Sequence, residues 1–161
     1  MRDIPRLRAQ IRALGVPAAH VDDVLQEVLI RVAQALPKYD GRVPIGAYAF
    51  GFAVFTVRNW KQRQASQARA LEKLRQAPSE SGEAPPDAAT HAREKNAQVH
   101  AALDQLSFNH RTVLVAVDME GMRISELARV LGIPEETLRS RQTQARKRFA
   151  AAYVLVTERK P

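Results

Sequence analysis

Residues 106–149 read LSFNHRTVLVAVDMEGMRISELARVLGIPEETLRSRQTQARKRF. Val113, Leu114 and Val117 recur at helical spacing, Glu120 and Gly121 interrupt them, and two short helical patterns follow, separated by Gly132. Leu127, Val130 and Leu131 share one face of the first of these, and Gly132 is the residue best able to take a left-handed C-cap. Pro134 suits the first turn of the next helix, where its missing N–H is not needed. Glu135 and Glu136 favour the positive end of that helix's dipole. This is the grammar of a helix-turn-helix.

In the second helix of the motif, Leu138, Gln142, Ala145 and Phe149 form the inward stripe. Arg139, Ser140, Thr143 and Gln144 point elsewhere, with Arg141, Arg146, Lys147 and Arg148 around them. Small polar and basic side chains on an outer face suit a DNA major groove. A solvated basic helix at the end of a bundle has the same pattern, so the residues alone leave both readings open.

Composition narrows the partner. The chain has 161 residues, enough for one ordinary domain or two small ones, and a formal charge of +8 with a pI near 10.4. That balance favours a polyanionic partner. A hydrophobic content of 45% supports globular cores, and the absence of cysteine excludes disulfides and thiolate metal sites. His20, His91, His100 and His110 have no ligand-like spacing, and no metal or cofactor is expected. Met1 to Gly15 is arginine-rich and lacks the apolar run of a signal peptide. The apolar tract from Val43 to Val57 is too short to span a bilayer, so a soluble cytoplasmic protein is expected.

In the first half, Val21, Val24, Leu25, Val28, Leu29, Val32 and Leu36 predict a helix of more than four turns. Its other side presents Asp22, Asp23, Gln26, Glu27, Arg31 and Gln34, either a solvated face or a docking surface for a basic partner. Pro37 to Pro44 is a turn segment, with Asp40-Gly41 as its clearest signal. Ile45 to Trp60 is apolar nearly all round, and helical pattern can continue from Gln64 to Arg75. Phe50, Val54 and Val57 are expected as an exposed apolar face. The helix turns basic at Arg58, Lys61 and Arg63 around Trp60. Aromatics beside positive charge suit single-stranded nucleic acid, although an aromatic core helix with a charged end fits equally well.

Ala77 to Thr90 reads APSESGEAPPDAAT, a composition that cannot bury enough surface to offset ordering. It predicts a flexible linker. Helical pattern resumes near Ala92, and Val99, Leu103 and Leu106 begin a second core. The expected fold is all-α: two small helical domains over residues 1–75 and 96–161, joined by a linker over 76–95, the second domain a helix-turn-helix.

Taken in order, Asp23-Val24-Leu25-Gln26-Glu27, Leu36-Pro37-Lys38-Tyr39-Asp40, the Gly132-Ile133-Pro134 turn, Thr137-Leu138-Arg139-Ser140-Arg141 and Ala145-Arg146 resemble a bacterial extracytoplasmic-function (group four) RNA polymerase sigma factor. The resemblance runs from Val21 to Phe149. It implies that Asp23, Gln26, Glu27 and Arg31 dock on the clamp helices of the RNA polymerase core. It implies that Tyr48, Phe55, Arg58, Asn59, Trp60, Lys61 and Arg63 serve the minus-ten element of the promoter as a single strand. The linker would run toward the RNA exit channel. Arg139, Ser140, Thr143 and Gln144 would face the bases of the minus-thirty-five element, with Thr137, Arg141, Arg146 and Lys147 nearer phosphates. Such a protein is not an enzyme, binds promoter DNA with the polymerase, and often has an anti-sigma factor as a further partner.

The sequence departs from the family pattern at several positions. Phe55 stands where Asn is common, Glu136 where Gly is common and Gln144 where Arg is frequent, while Tyr48 keeps the size of the Trp or other large aromatic usual at its position. Arg123 replaces the Ser that caps the first helix of the motif, which predicts a broken capping box with Glu126 at a cost of roughly 1 kcal/mol. Gln142 holds an inward position and needs a polar partner or solvent. The first helix of the family's N-terminal domain is expected to be reduced to Asp3–Leu14, leaving less apolar surface over Phe50, Phe52 and Phe55. The alternative from another class is a stand-alone helix-turn-helix regulator whose first half dimerises or senses a ligand through the Phe50, Val54 and Val57 face. An enzyme lacks support: there is no Gly-rich phosphate loop, nucleophile elbow or metal-ligand spacing, and one helix bearing Asp22, Asp23 and Glu27 offers too few converging oxygens for a cation.

Overall fold

The apolar spacings that predict helices form them in a computed structural model, which describes residues 3–74 and 91–158. Seven α-helices follow in order among the described residues, with no strand: α1 Ile4–Ala13, α2 Val21–Ala35, α3 Ile45–Leu74, α4 His91–Asp104, α5 Phe108–Val113, α6 Ile124–Leu131 and α7 Glu135–Glu158. A π-helical stretch, Leu114–Met119, continues α5. The segment read as a flexible linker at Ala77–Thr90 lies outside the described residues, and 91–95, assigned to the same linker, are the first turns of α4.

Helices α1, α2 and α3 pack on one another. The stripe on α2 is buried as its period requires, through Val21, Val24, Leu25 and Val28. It meets Phe50, Ala53, Val54 and Val57 of α3. The expected exposed apolar face is therefore corrected: Phe50, Val54 and Val57 are at most 1% exposed, and the aromatic that reaches solvent is Phe55, at 51%. Each buried side chain of this kind stabilises the fold by about 1.5–3 kcal/mol, whereas Phe55 contributes little by burial.

The expected shortage of cover from the N-terminus is corrected for Phe50, which is fully buried, while Phe52 stays partly and Phe55 half exposed. Pro5 lies in the first turn of α1, where it costs no hydrogen bond, and Leu7 and Ile11 are buried. Beyond the helix, Gly15 takes a positive φ of 102° and turns Leu14 and Val16 into the same core. Short as α1 is, these four side chains complete the layer over Phe50.

In the second half, α7 packs on α4, α5 and α6. The turn between α6 and α7 follows the sequence: Gly132 is left-handed at φ 65°, and Ile133 N–H donates to Ala128 O at 3.1 Å. The capping box predicted to be broken keeps one half. Arg123 offers no acceptor, but its backbone N–H donates to Glu126 Oε2 at 3.1 Å, and its guanidinium donates to Glu126 Oε1. An ion pair thus replaces the hydroxyl's part in fixing the helix start.

The two halves share one core. Val113, Val115, Ala116, Leu127 and Leu138 belong to the same buried cluster as Phe50 and Ile11. Polar contacts stitch the seam: Arg6 Nη2 donates to Glu120 O at 2.9 Å, and Gln10 Nε2 donates to Glu120 Oε2 at 3.0 Å. Arg111, 2% exposed, reaches from α5 to the carbonyl of Ala13 and to Asp104.

Candidate nucleic-acid interface

The outward face of α2 carries the residues expected to dock on a partner. Asp23 and Gln26 are exposed. Glu27 is half-buried and bridges two cations, Arg31 at 2.9 Å one turn along and Arg63 of α3 at 3.2 Å. Burial alone would raise its carboxyl, but the two guanidiniums carry it below the ordinary carboxylate value. Asp22 is tied to Arg8 of α1 at 2.7 Å. Ile30 is 52% exposed beside this acidic strip, an apolar neighbour that the periodicity gave no reason to single out.

Helix α3 divides the residues expected to handle a single strand. Tyr48 and Phe55 line one cleft of 630 Å³ with Phe52 and Gly51, rimmed by Arg31, Lys38, Arg42 and Arg129. Tyr48 is held in place by Tyr39, at 4.9 Å between ring centroids, and by Phe52 at 5.2 Å. The Arg31 guanidinium sits 5.5 Å from the centre of the Phe55 ring. Asn59 and Arg63 border a neighbouring hollow with Glu27 and Arg31. Aromatic faces flanked by guanidiniums can stack bases and neutralise phosphates together.

Arg58, Trp60 and Lys61 lie elsewhere. Arg58 and Lys61 point to the seam, over the ring of Phe108 at 5.4 and 5.6 Å, and Arg58 also donates to Asn109 at 3.4 Å. Trp60 packs against His20 at 5.5 Å. Burial and the adjacent Arg111 push the Lys61 ammonium down from its usual value. The sequence placed these residues beside Phe55 along the chain; the turn of the helix sends them to other faces.

Helix α7 presents Arg139, Ser140, Thr143, Gln144 and Lys147 to solvent, while Thr137 and Arg141 are half-buried. Leu138 and Ala145 are fully buried, and Gln142 finds the polar partner its inward position demands by donating to Asp118 at 3.1 Å. Asp118 also pairs with Arg146 at 2.5 Å. Arg146 holds its carboxyl below the ordinary value, against the opposing effect of burial. Asp118 escaped sequence reasoning because its partners lie 24 and 28 positions away. Arg139 pairs with Glu135 at 3.2 Å.

Comparison with known proteins decides what these faces belong to. The Sigma-70 region 2 family matches residues 1–67, and the Sigma-70, region 4 family matches 102–149. The chain is 30% identical to the RNA polymerase sigma factor CnrH of Cupriavidus metallidurans over 146 residues, 87% of this chain and 76% of that protein. Over 52 residues it is 46% identical to the ECF RNA polymerase sigma factor SigM of Mycobacterium tuberculosis, 32% of this chain and 26% of that one. The chain belongs to the extracytoplasmic-function RNA polymerase sigma factors. Solved sigma factors share its fold. RpoE in complex with the anti-sigma factor NepR from Bartonella quintana superposes with a TM-score of 0.69 at 20% identity, covering 92% of this chain and 90% of that one. CnrH in complex with the cytosolic domain of CnrY gives 0.67 at 25% identity, covering 99% and 85%. This sigma factor directs promoter-specific transcription by RNA polymerase. No described helix is long and apolar enough to cross a membrane.

Proposed function

We propose that residues 1–75 form the part of this sigma factor that docks on core polymerase and handles the minus-ten element, and that residues 96–161 read the minus-thirty-five element. The observation that carries this division is the cleft of Tyr48, Phe52 and Phe55 on α3, with Arg31 and Arg42 of the same half on its rim, which is a different surface from the exposed polar-basic face of α7. Asp23, Gln26 and Glu27 form the docking strip on α2, with Arg31 shared between that strip and Phe55. Tyr48, Phe55, Asn59 and Arg63 meet the single strand. Ser140, Thr143, Gln144 and Arg139 face bases, and Thr137, Arg141, Arg146 and Lys147 face phosphates. Gln144 carries an amide suited to adenine in place of a guanidinium suited to guanine.

The protein works in the cytoplasm, has no catalytic activity of its own and lends sequence specificity to the polymerase. An anti-sigma factor is a further partner, supported by the two similar structures in which a sigma factor is held by one. The stand-alone regulator has lost its support, since the apolar face that motivated it is buried.

Transcription by core polymerase and this protein on a randomised promoter library tests the reading. Initiation should depend on the protein, with preferences at both elements, and Gln26→Ala with Glu27→Ala should weaken core binding. Initiation independent of the protein, or unchanged core affinity in the double variant, would sink it.

A further inference from the structure

A group of cations gathers at the seam with little negative charge to answer it. Arg111 of α5 is 2% exposed; its Nε donates to the Ala13 carbonyl and its Nη1 to Asp104, while Nη2 is buried without a hydrogen-bond partner among the described residues. Lys61 of α3 meets it at Gly15. Lys61 Nζ and Arg111 Nη1 lie 2.5 and 2.8 Å from the point that a Cβ on Gly15 would occupy, so the bare backbone at this turn lets the two charges draw together. Arg12 of α1 adds a third cation, felt by Arg111, and its Nη1 donates to the Val16 carbonyl. His100 of α4 completes the group, its Nδ1 buried and likewise unpartnered among the described residues. Among those residues, Asp104 is the one carboxylate whose charge reaches Lys61, His100 and Arg111, and its own side chain is 60% exposed.

A buried donor or charge left unanswered is costly, and in native proteins it commonly marks a bound water or ion. Three cations against one carboxylate call for an anion. A guanidinium on the floor, an ammonium beside it and a second guanidinium on the rim offer N–H groups from several directions, which suits the oxygens of a phosphate better than a halide. Gly15, Lys61 and Arg12 are half-buried and Asp104 is exposed, so a small solute reaches the group from solvent. The depth of Arg111 favours a small free ion over a phosphate embedded in a nucleic-acid backbone.

We propose that this group is a binding site for a small oxyanion of the phosphate class, held by Lys61, Arg111 and Arg12. Its residues come from α1, α3, α4 and α5, so the bound ion ties elements of both halves together and stabilises the fold. The site uses none of the residues given above to the promoter and docking faces, and it stands or falls apart from them.

Inorganic phosphate is the probe, titrated into the full chain against chloride at matched ionic strength. The melting temperature should rise saturably, by about 3–6 °C at ten times the half-saturating concentration, beyond any rise in chloride. The ring resonances of His100 should move most among the four histidines of the chain. Lys61→Gln should abolish both responses, and Arg111→Met should do so as well, so that poor folding of one variant leaves the other to decide. Arg69→Gln removes an exposed cation two turns further along α3 and should keep them. Asp104→Asn should bind phosphate severalfold more tightly, because the carboxylate repels an arriving anion. A response no larger than that to chloride, one that survives loss of Lys61 and Arg111, or one that leaves His100 unmoved would overturn the site. So would a short single-stranded oligonucleotide without a terminal phosphate that moves His100 where inorganic phosphate does not, since the group would then serve a nucleic-acid backbone.

Discussion

Arg111 donates to Asp104 Oδ1 through Nη1 at 2.6 Å, yet its own side chain is 3% exposed while that of Asp104 is 60% exposed. The pair is thus lopsided: the cation has given up its water, and burial lowers its pKa against the help of Asp104.

Removing one partner of such a pair differs by which is removed. Asp104→Ala leaves a buried guanidinium near Lys61 and Arg12 with the Ala13 carbonyl as its remaining partner and should cost about 1–3 kcal/mol. Arg111→Met removes the charge, keeps much of the volume and should cost less than half as much. Urea melts of both variants check the order, and an Arg111→Met protein that is the less stable of the two would refute the account.

Leu127 is fully buried and belongs to the core that both halves share. Leu127→Ala should therefore destabilise the whole protein by about 3 kcal/mol, with both halves melting in one transition. Calorimetry would decide, because an early transition confined to the second half would mean that the seam does not couple them.

The helices themselves were legible because their signals are local. The α2 stripe, the Gly132 turn and the inward positions of α7 follow from spacing within one element. What the residues could not show is which side of α3 meets another helix. Ile45 to Trp60 is apolar nearly all round, so nothing in the spacing separates buried Phe50, Val54 and Val57 from exposed Phe55. The answer depends on α1 and α6, which arrive from 40 residues upstream and 80 downstream, roughly, and loop length says little about such pairings. Glu126 shows a smaller failure of the same kind. The missing hydroxyl at Arg123 was visible, but not the ion pair that takes its place. The residues expected to meet DNA share α7 and are mostly exposed there, whereas the hold of Asp118 on Gln142 and Arg146 could not be read from spacing.

Phe55 offers a clean separation of stability from function. Its ring is half exposed and touched by Arg31. Phe55→Ala should leave the melting temperature nearly unchanged while weakening single-stranded minus-ten DNA, in the polymerase complex, by about 1–3 kcal/mol, a stacked base's worth. Phe55→Trp should retain binding. An alanine variant that binds the strand normally would remove Phe55 from the reading surface.

Asp118 restrains Arg146, and the restraint has two readouts. Because Arg146 lowers the Asp118 carboxyl below its ordinary 3.8, the pair's stabilisation is complete above that value and is lost as pH falls through the lower folded value. With Arg146 largely exposed, solvent screens the pair and its stabilisation is small. Asp118→Asn should therefore lower stability slightly at neutral pH and converge on the wild type in strong acid. On duplex DNA the sign reverses. Freed from the carboxylate, Arg146 becomes available to a phosphate, so the variant should bind more tightly and its log affinity should fall more steeply with log salt, by about 0.9. Lys147→Ala should change the slope by a similar amount in the other direction. Titrations of the isolated protein at several salt concentrations measure both slopes, and an Asp118→Asn slope equal to the wild type's would show that Arg146 touches no phosphate.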